Sequence, residues 1–284
     1  MRSNWANLTI ILLLSVCIIT GCQWNTPVTT EPTNVTLQTT EQTVVTEESN
    51  TATLVTEATQ PPTAPTEVTD PTEPEGIQED KILEKYLPDY QQNQDLVGWI
   101  RLPGTRIDNP VLQTGVDNPN YYIDKNFDHQ PDIAGALYVR EECDIFRPSD
   151  NVVIYGHNMK NETMFGSLYR YRKQAHWEKN QYIYFDSLYE EHTYQIFAVF
   201  AISADPGNYP YHEMNEFSSA EEFDTFIGIV TNDSGADPAI TQSIRYYYNT
   251  GLTPQYGDQL ITLSTCEYTM GPNGRLVVIA YRIS

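Results

Sequence analysis

NVVIYGHNM at residues 151–159, QLITLSTC at 259–266 and RLVVIAYRI at 275–283 are short apolar runs rich in β-branched side chains. Runs of this length and composition, bounded by turn residues, read as buried strands rather than helices. The first run passes through Gly156 and presents His157, and the second ends on Cys266. The third opens on Arg275, nine residues after Cys266, across the turn Gly271-Pro272-Asn273-Gly274. A hairpin of that kind lays its second strand back beside its first, so Arg275 is expected next to Cys266. Strand ends are held firmly by a sheet yet face a cleft or solvent, where reactive side chains are useful.

The same pattern continues outward along the chain. LVGWIRL (96–102), NPVLQ (109–113), GALYV (135–139), QYIYF (181–185) and TYQIFAVFAI (193–202) are further strand-like runs. Gly, Pro, Asn or Asp separates most of them. Many short strands with turn signals between them predict a mainly β domain, a barrel or sandwich rather than a parallel α/β sheet. Ahead of the strands, IQEDKILEKY (77–86) has Ile77, Ile82, Leu83 and Tyr86 at helical spacing, which predicts a short helix stopped before Pro88. Residues 203–258 interrupt the β pattern with two helix signatures. Ser219 and Glu222 form a capping box at the head of the first. The second starts at Asp237-Pro238 and carries Ile240, Ile244, Tyr247 and Tyr248 on one face before Gly251.

The N-terminal part has a different character. Residues 1–22 place one positive charge, Arg2, ahead of an apolar run from Leu8 to Ile19 and then small residues. That run is short for a membrane span and suits a signal-peptide core, so the chain is expected to be exported. Ile19-Thr20-Gly21-Cys22 is similar to the lipobox of bacterial lipoproteins, whose cysteine is lipidated; an uncleaved signal anchor is the other reading. Residues 23–75 are dominated by Thr, Pro and Glu, and no Lys or Arg occurs between Arg2 and Lys81. Such a stretch buries too little apolar surface to offset its ordering entropy and is expected to be a disordered linker. It would span roughly 40 Å as a coil and at most about 170 Å fully extended. The folded domain is expected over residues 76–284.

Charge and cysteine content narrow the function. The chain carries a formal net charge of −22. Residues 81–284 hold 15 basic and 27 acidic side chains, so the domain is acidic as well as its leader region. Nucleic-acid binding is therefore disfavoured, and no polybasic run is present to hold anionic lipid. Of four cysteines, Cys17 and Cys22 fall in the leader and only Cys143 and Cys266 in the domain. Two are too few for a disulfide framework, although a Cys143–Cys266 bridge stays open, and no C-x-x-C pair suggests zinc. No acidic cluster has calcium-loop spacing, so neither a metal nor a cofactor is expected.

Taken singly, the reactive candidates have ordinary readings. A lone cysteine ending a strand is usually a small buried hydrophobe. A lone histidine is usually at the surface or hydrogen-bonded, and this chain has His129, His157, His176, His192 and His212. Together, however, YGHNM, TLSTC and an arginine opening the next strand resemble the sortase family. The resemblance runs from Asp95 to Ile283. DLVGWIRLPGTRIDNPVLQ (95–113), DNPNYYI (117–123), NMKNETMFGSLYRY (158–171) and the helical insertion before the cysteine strand are similar to its class B branch.

The resemblance implies a closed β-barrel of about eight strands with an N-terminal helix, and acyl transfer as the chemistry. Cys266 would attack a threonine carbonyl in a C-terminal sorting signal, something like Asn-Pro-x-Thr-x, of an exported protein. The thioester would then be resolved by an amine, typically of a peptidoglycan cross-bridge or lipid II. His157 would carry the proton transfers, imidazole being the side chain that ordinarily titrates near neutrality. Arg275 would stabilise the oxyanion or hold the substrate carbonyl. The backbone N–H of Glu267 is a candidate second oxyanion donor, and Thr265 is expected to help line the substrate cleft. Under either reading of the leader the N-terminus is expected to be held at the outer face of a cell membrane, that of a Gram-positive bacterium, whereas class B members usually carry an anchor close to the domain instead of a long tether. Variants that stay open are a pilin polymerase with a lysine acceptor, simple thiol proteolysis, and a silent wall-binding module.

Overall fold

The computed structural model describes residues 77–284; the leader, Cys22 and the expected linker lie outside the described residues. Nine strands follow one another along the chain: β1 (Leu96–Arg101), β2 (Asp108–Leu112), β3 (Leu137–Val139), β4 (Asn151–Tyr155), β5 (Tyr182–Ser187), β6 (Thr193–Ser203), β7 (Arg245–Tyr246), β8 (Leu260–Cys266) and β9 (Gly274–Arg282). Their hydrogen-bonded order is β5-β1-β2-β3-β4-β8-β9-β6-β7, and β5 also pairs with β6. That extra pairing closes eight strands into a barrel, leaving two-residue β7 as an appendage on the far end of β6. Closure pairs the barrel strands on both sides, removing the usual liability of a β sheet except along the far part of β6, beyond its pairing with β5 at Thr193–Gln195, where β7 adds. All eight strand-like runs read from the sequence are strands of this barrel.

Two pairings are parallel, β2 with β3 and β4 with β8; the other barrel pairings are antiparallel. Parallel strands of this kind are covered on both faces. Every residue of β4 and β8 is buried, as are the first seven of β9, which explains why these segments read as unbroken apolar runs rather than alternating ones.

The outer cover comes from the insertion between β6 and β8. Helix α3 (Ala220–Thr231) buries Phe223, Phe226, Ile227, Ile229 and Val230 in a cluster with Phe197, Phe200 and Ile202 of β6 and Val277 and Ile279 of β9. Its start follows the capping box in part. Ser219 accepts from the Glu222 N–H, while the Glu222 carboxylate returns to the N–H and hydroxyl of Ser218 rather than to Ser219. Asn232, in the left-handed conformation at φ 58°, ends the helix. Phe226 is fully buried in this cluster. Phe226→Ala is expected to lower stability by about 3–5 kcal/mol, measured as a shift in the denaturant midpoint with an unchanged slope.

Two helix expectations need correction. The N-terminal helix is not at 77–86: a 3-10 turn covers Glu79–Lys81, and the α-helix, α1, runs Leu87–Gln92 with Pro88 in its first turn. Proline here starts a helix instead of stopping one, because its fixed φ suits the first turn and its missing N–H is not needed there. The second insertion helix, α4, is a single turn, Pro238–Thr241, after a short helix α2 at Gln174–Trp177. Asp237 caps α4 as expected, accepting from the Ala239 N–H. The chain then becomes extended, with Arg245 and Tyr246 pairing with Ala201 and Phe200. Tyr247 and Tyr248 therefore share no helix face with Ile240. The β preference of an aromatic run and a vacant edge on β6 outweigh the helical spacing.

Candidate active site

The site grows out of one parallel ladder and one hairpin. Strands β4 and β8 run side by side with Tyr155 opposite Ser264, and one further rung joins the Gly156 N–H to the Ser264 carbonyl at 3.2 Å. The chain leaving β4 thus emerges at the same barrel end as the last residues of β8, so His157 and Cys266 share that end. On the other side of β8, the register with β9 sets Cys266 directly opposite Arg275. His157, two residues past the end of β4, therefore lies at the same end of the barrel as Cys266 on β8 and Arg275 on β9.

Local packing fixes the histidine. A side chain at Gly156 would bring its Cβ to 2.3 Å from Leu137 Cδ2 and 2.8 Å from the Phe165 ring, so the strand exit requires glycine. His157 Nε2 lies 2.7 Å from the Ile123 carbonyl. That oxygen can only accept, so Nε2 carries the hydrogen, and in neutral imidazole Nδ1 is left as the acceptor. The His157 carbonyl accepts from the Phe165 N–H at 3.0 Å. Between these points the chain forms a tight strap bridged at Asn158 and Met164. Glu162 and Met164 both adopt left-handed backbone, at φ 67° and 49°. An ion pair from Arg170 and a hydrogen bond from the Tyr169 hydroxyl hold Glu162 there.

The arginine is set equally firmly. Arg275 is 3% exposed, and its Nη1 donates to the Gly274 carbonyl at 3.0 Å. Burial pushes the phenols of Tyr138 and Tyr211 up, and the nearby Arg275 charge works against that rise at both. Beneath the nucleophile strand, the Tyr211 and Ser264 hydroxyls share a buried hydrogen bond of 2.7 Å.

Two expected roles change. Thr265 does not line a cleft: it is fully buried, and its hydroxyl donates to the Gly156 carbonyl at 2.7 Å. Adjacent residues on a strand point to opposite faces, so Thr265 does not share the face of Cys266. The Glu267 N–H is not presented to a ligand either, because it donates to the Gly274 carbonyl at 2.8 Å as the last rung of the hairpin. The Glu267 side chain does more than the sequence suggests. Its carboxylate, buried, pairs with Arg172 at 2.9 Å and accepts from the Thr269 N–H and hydroxyl, tying the cysteine hairpin to the 3-10 segment Gly166–Arg172.

Cys143 lies at the opposite barrel end, before β4 instead of after it. It is a free cysteine, so no Cys143–Cys266 bridge exists. Its sulfur accepts from the Val153 N–H and contacts the Asn151 carbonyl, and burial pushes its thiol up to about 11. Such a thiol is protonated and inert near neutrality. Among the described residues, no cluster of His, Cys, Asp and Glu could hold a metal, and no helix is long and apolar enough to cross a membrane.

A cysteine, a histidine with one ring nitrogen held as donor, and a buried arginine at one end of a closed barrel are groups that could together carry out acyl transfer. The Sortase domain family model matches residues 100–283, and the chain belongs to the sortase family, whose members are cysteine transpeptidases. It is similar to Sortase B of Staphylococcus aureus, 27% identical over 191 residues that cover 67% of this chain and 71% of that protein. Sortase B of Listeria monocytogenes is 29% identical over 187 residues, covering 66% of this chain and 69% of the other. Among solved structures, a Staphylococcus aureus sortase B–substrate complex superposes with a TM-score of 0.60 at 25% identity, covering 72% of this chain and 88% of that one.

Proposed function

We propose that this chain cleaves a C-terminal sorting signal of exported proteins and transfers the acyl group to an amine of peptidoglycan, with Cys266, His157 and Arg275 as its catalytic residues. The observation that carries the reading is the register that sets Cys266 opposite Arg275 while the parallel β4–β8 ladder delivers His157 to the same end.

The reduced Cys266 sulfur, its proton passed to His157, adds to the signal's threonine carbonyl, and the resulting oxyanion is met by the Arg275 guanidinium, which keeps its charge throughout. Collapse breaks the peptide bond, and protonated His157 gives its proton to the departing amine, leaving a thioester on Cys266. Neutral His157 then takes a proton from the incoming amine as it attacks, and the sulfur leaves. The acceptor assignment, and a location at the outer membrane face through the N-terminal leader, rest on the family resemblance and on the leader's composition.

Mass spectrometry of the reduced protein mixed with candidate sorting peptides tests the reading. A single acyl adduct mapping to Cys266, removed by an added peptidoglycan-like amine with formation of the amide, is expected. An adduct on Cys143 instead, or release to the free acid alone despite the amine, would overturn it.

A further inference from the structure

We propose that Asn158 and Thr265 are positioning residues that fix His157 and Cys266 against each other through two crossed side-chain hydrogen bonds; the proposal rests on the assignment of those two as catalytic. Thr265, the residue before the nucleophile, donates its hydroxyl to the carbonyl of Gly156, the residue before the histidine, at 2.7 Å. Asn158, the residue after the histidine, donates its side-chain Nδ2 to the carbonyl of Cys266 itself, also at 2.7 Å. Each segment thus grips the other on either side of the reacting pair.

The second bond replaces a piece of sheet. The last backbone rung runs from the Gly156 N–H to the Ser264 carbonyl. Carbonyls two residues apart on a strand face the same neighbour, so a continued parallel ladder would next join the Asn158 N–H to the Cys266 carbonyl. The chain instead turns away at His157 to form the strap bridged at Asn158 and Met164. The Asn158 side chain reaches back and supplies the missing donor. The histidine is thereby released from β geometry, free to aim its ring, while its segment stays in register with the cysteine. The first bond is insulated from water, since Thr265 is fully buried. With His157 Nε2 on the Ile123 carbonyl, the imidazole is constrained from the ring side and its segment from the backbone side.

Small displacements of a reacting pair lower the turnover rate much more than they alter substrate binding. In the full chain kept reduced, Asn158→Ala and Thr265→Val are each expected to lower kcat for acyl transfer about tenfold or more, with KM for the sorting peptide nearly unchanged. Thr265→Ser, which keeps the hydroxyl, should restore most of the rate. A merely structural threonine would not distinguish valine from serine in kcat at equal folding. Unchanged kcat in both Asn158→Ala and Thr265→Val, a serine variant as slow as the valine one, or a loss carried by KM would overturn the proposal. The carbonyl carbon-13 shift of residue 266 separates this failure from failure of the nucleophile assignment. It should move in Asn158→Ala whether or not Cys266 is the nucleophile, and an unmoved shift would show that the bond is absent and the proposal wrong.

Discussion

Cys266→Ala is expected to reduce acyl transfer by at least about 10⁴-fold while the domain stays folded, since removal of a covalent nucleophile leaves only binding and oxyanion contributions. The fold should tolerate the change. Cys266 ends β8, where its backbone pairing with Arg275 does not involve the sulfur, and alanine keeps that pairing without added bulk. Circular dichroism and a thermal midpoint within a few degrees of the parent would document the folded state, and peptide turnover under reducing conditions would supply the rate. Turnover above about one-hundredth of the parent would end the assignment of Cys266 as nucleophile.

Arg275→Lys is the second large effect, and the more informative about mechanism. Both side chains are cations, so a role as a mere positive charge would survive the exchange. The guanidinium, however, donates to the Gly274 carbonyl from a rigid planar fork of donors. A lysine ammonium is a point charge with three donors on a flexible stem, and it is hydrated more strongly, so its burial at this almost fully covered position costs more. A fall in kcat/KM of about 10²–10³-fold is expected, the size seen when one oxyanion donor is removed. Steady-state rates near the parent's would remove Arg275 from the mechanism.

The strands are legible in the sequence because burial on both faces turns a strand into an unbroken apolar run, as in β4, β8 and β9. The placement of the candidate residues is legible for a related reason: His157 follows one such run, Cys266 ends another and Arg275 opens the third, and the turn at Gly271–Gly274 fixes one register. Other features leave no trace in residue identity. Ile123 contributes a carbonyl to His157, which any residue could supply. Asn158 lies within the motif, but its bond to Cys266 depends on a turn that spacing does not reveal. For Thr265 and Glu267, adjacency to the nucleophile suggests a part in the cleft, but adjacency does not say which face a side chain takes or which backbone donor is already engaged. Pro88 and the Tyr246–Tyr248 run mislead for a common reason: each has two local preferences, and tertiary pairing chooses between them.

Two of the three reactive side chains come from the final 19 residues, whereas the third precedes Cys266 by more than a hundred residues and reaches it only across the parallel β4–β8 seam. That seam cannot form until the last strands have been made, and contacts so distant in sequence form late in folding. A nascent or truncated chain therefore holds an imidazole with no sulfur to serve, and a chain that has not closed its barrel holds a sulfur with no imidazole. Reactivity in this molecule is a property of completion: the thiol gains its partners in the same event that finishes the fold.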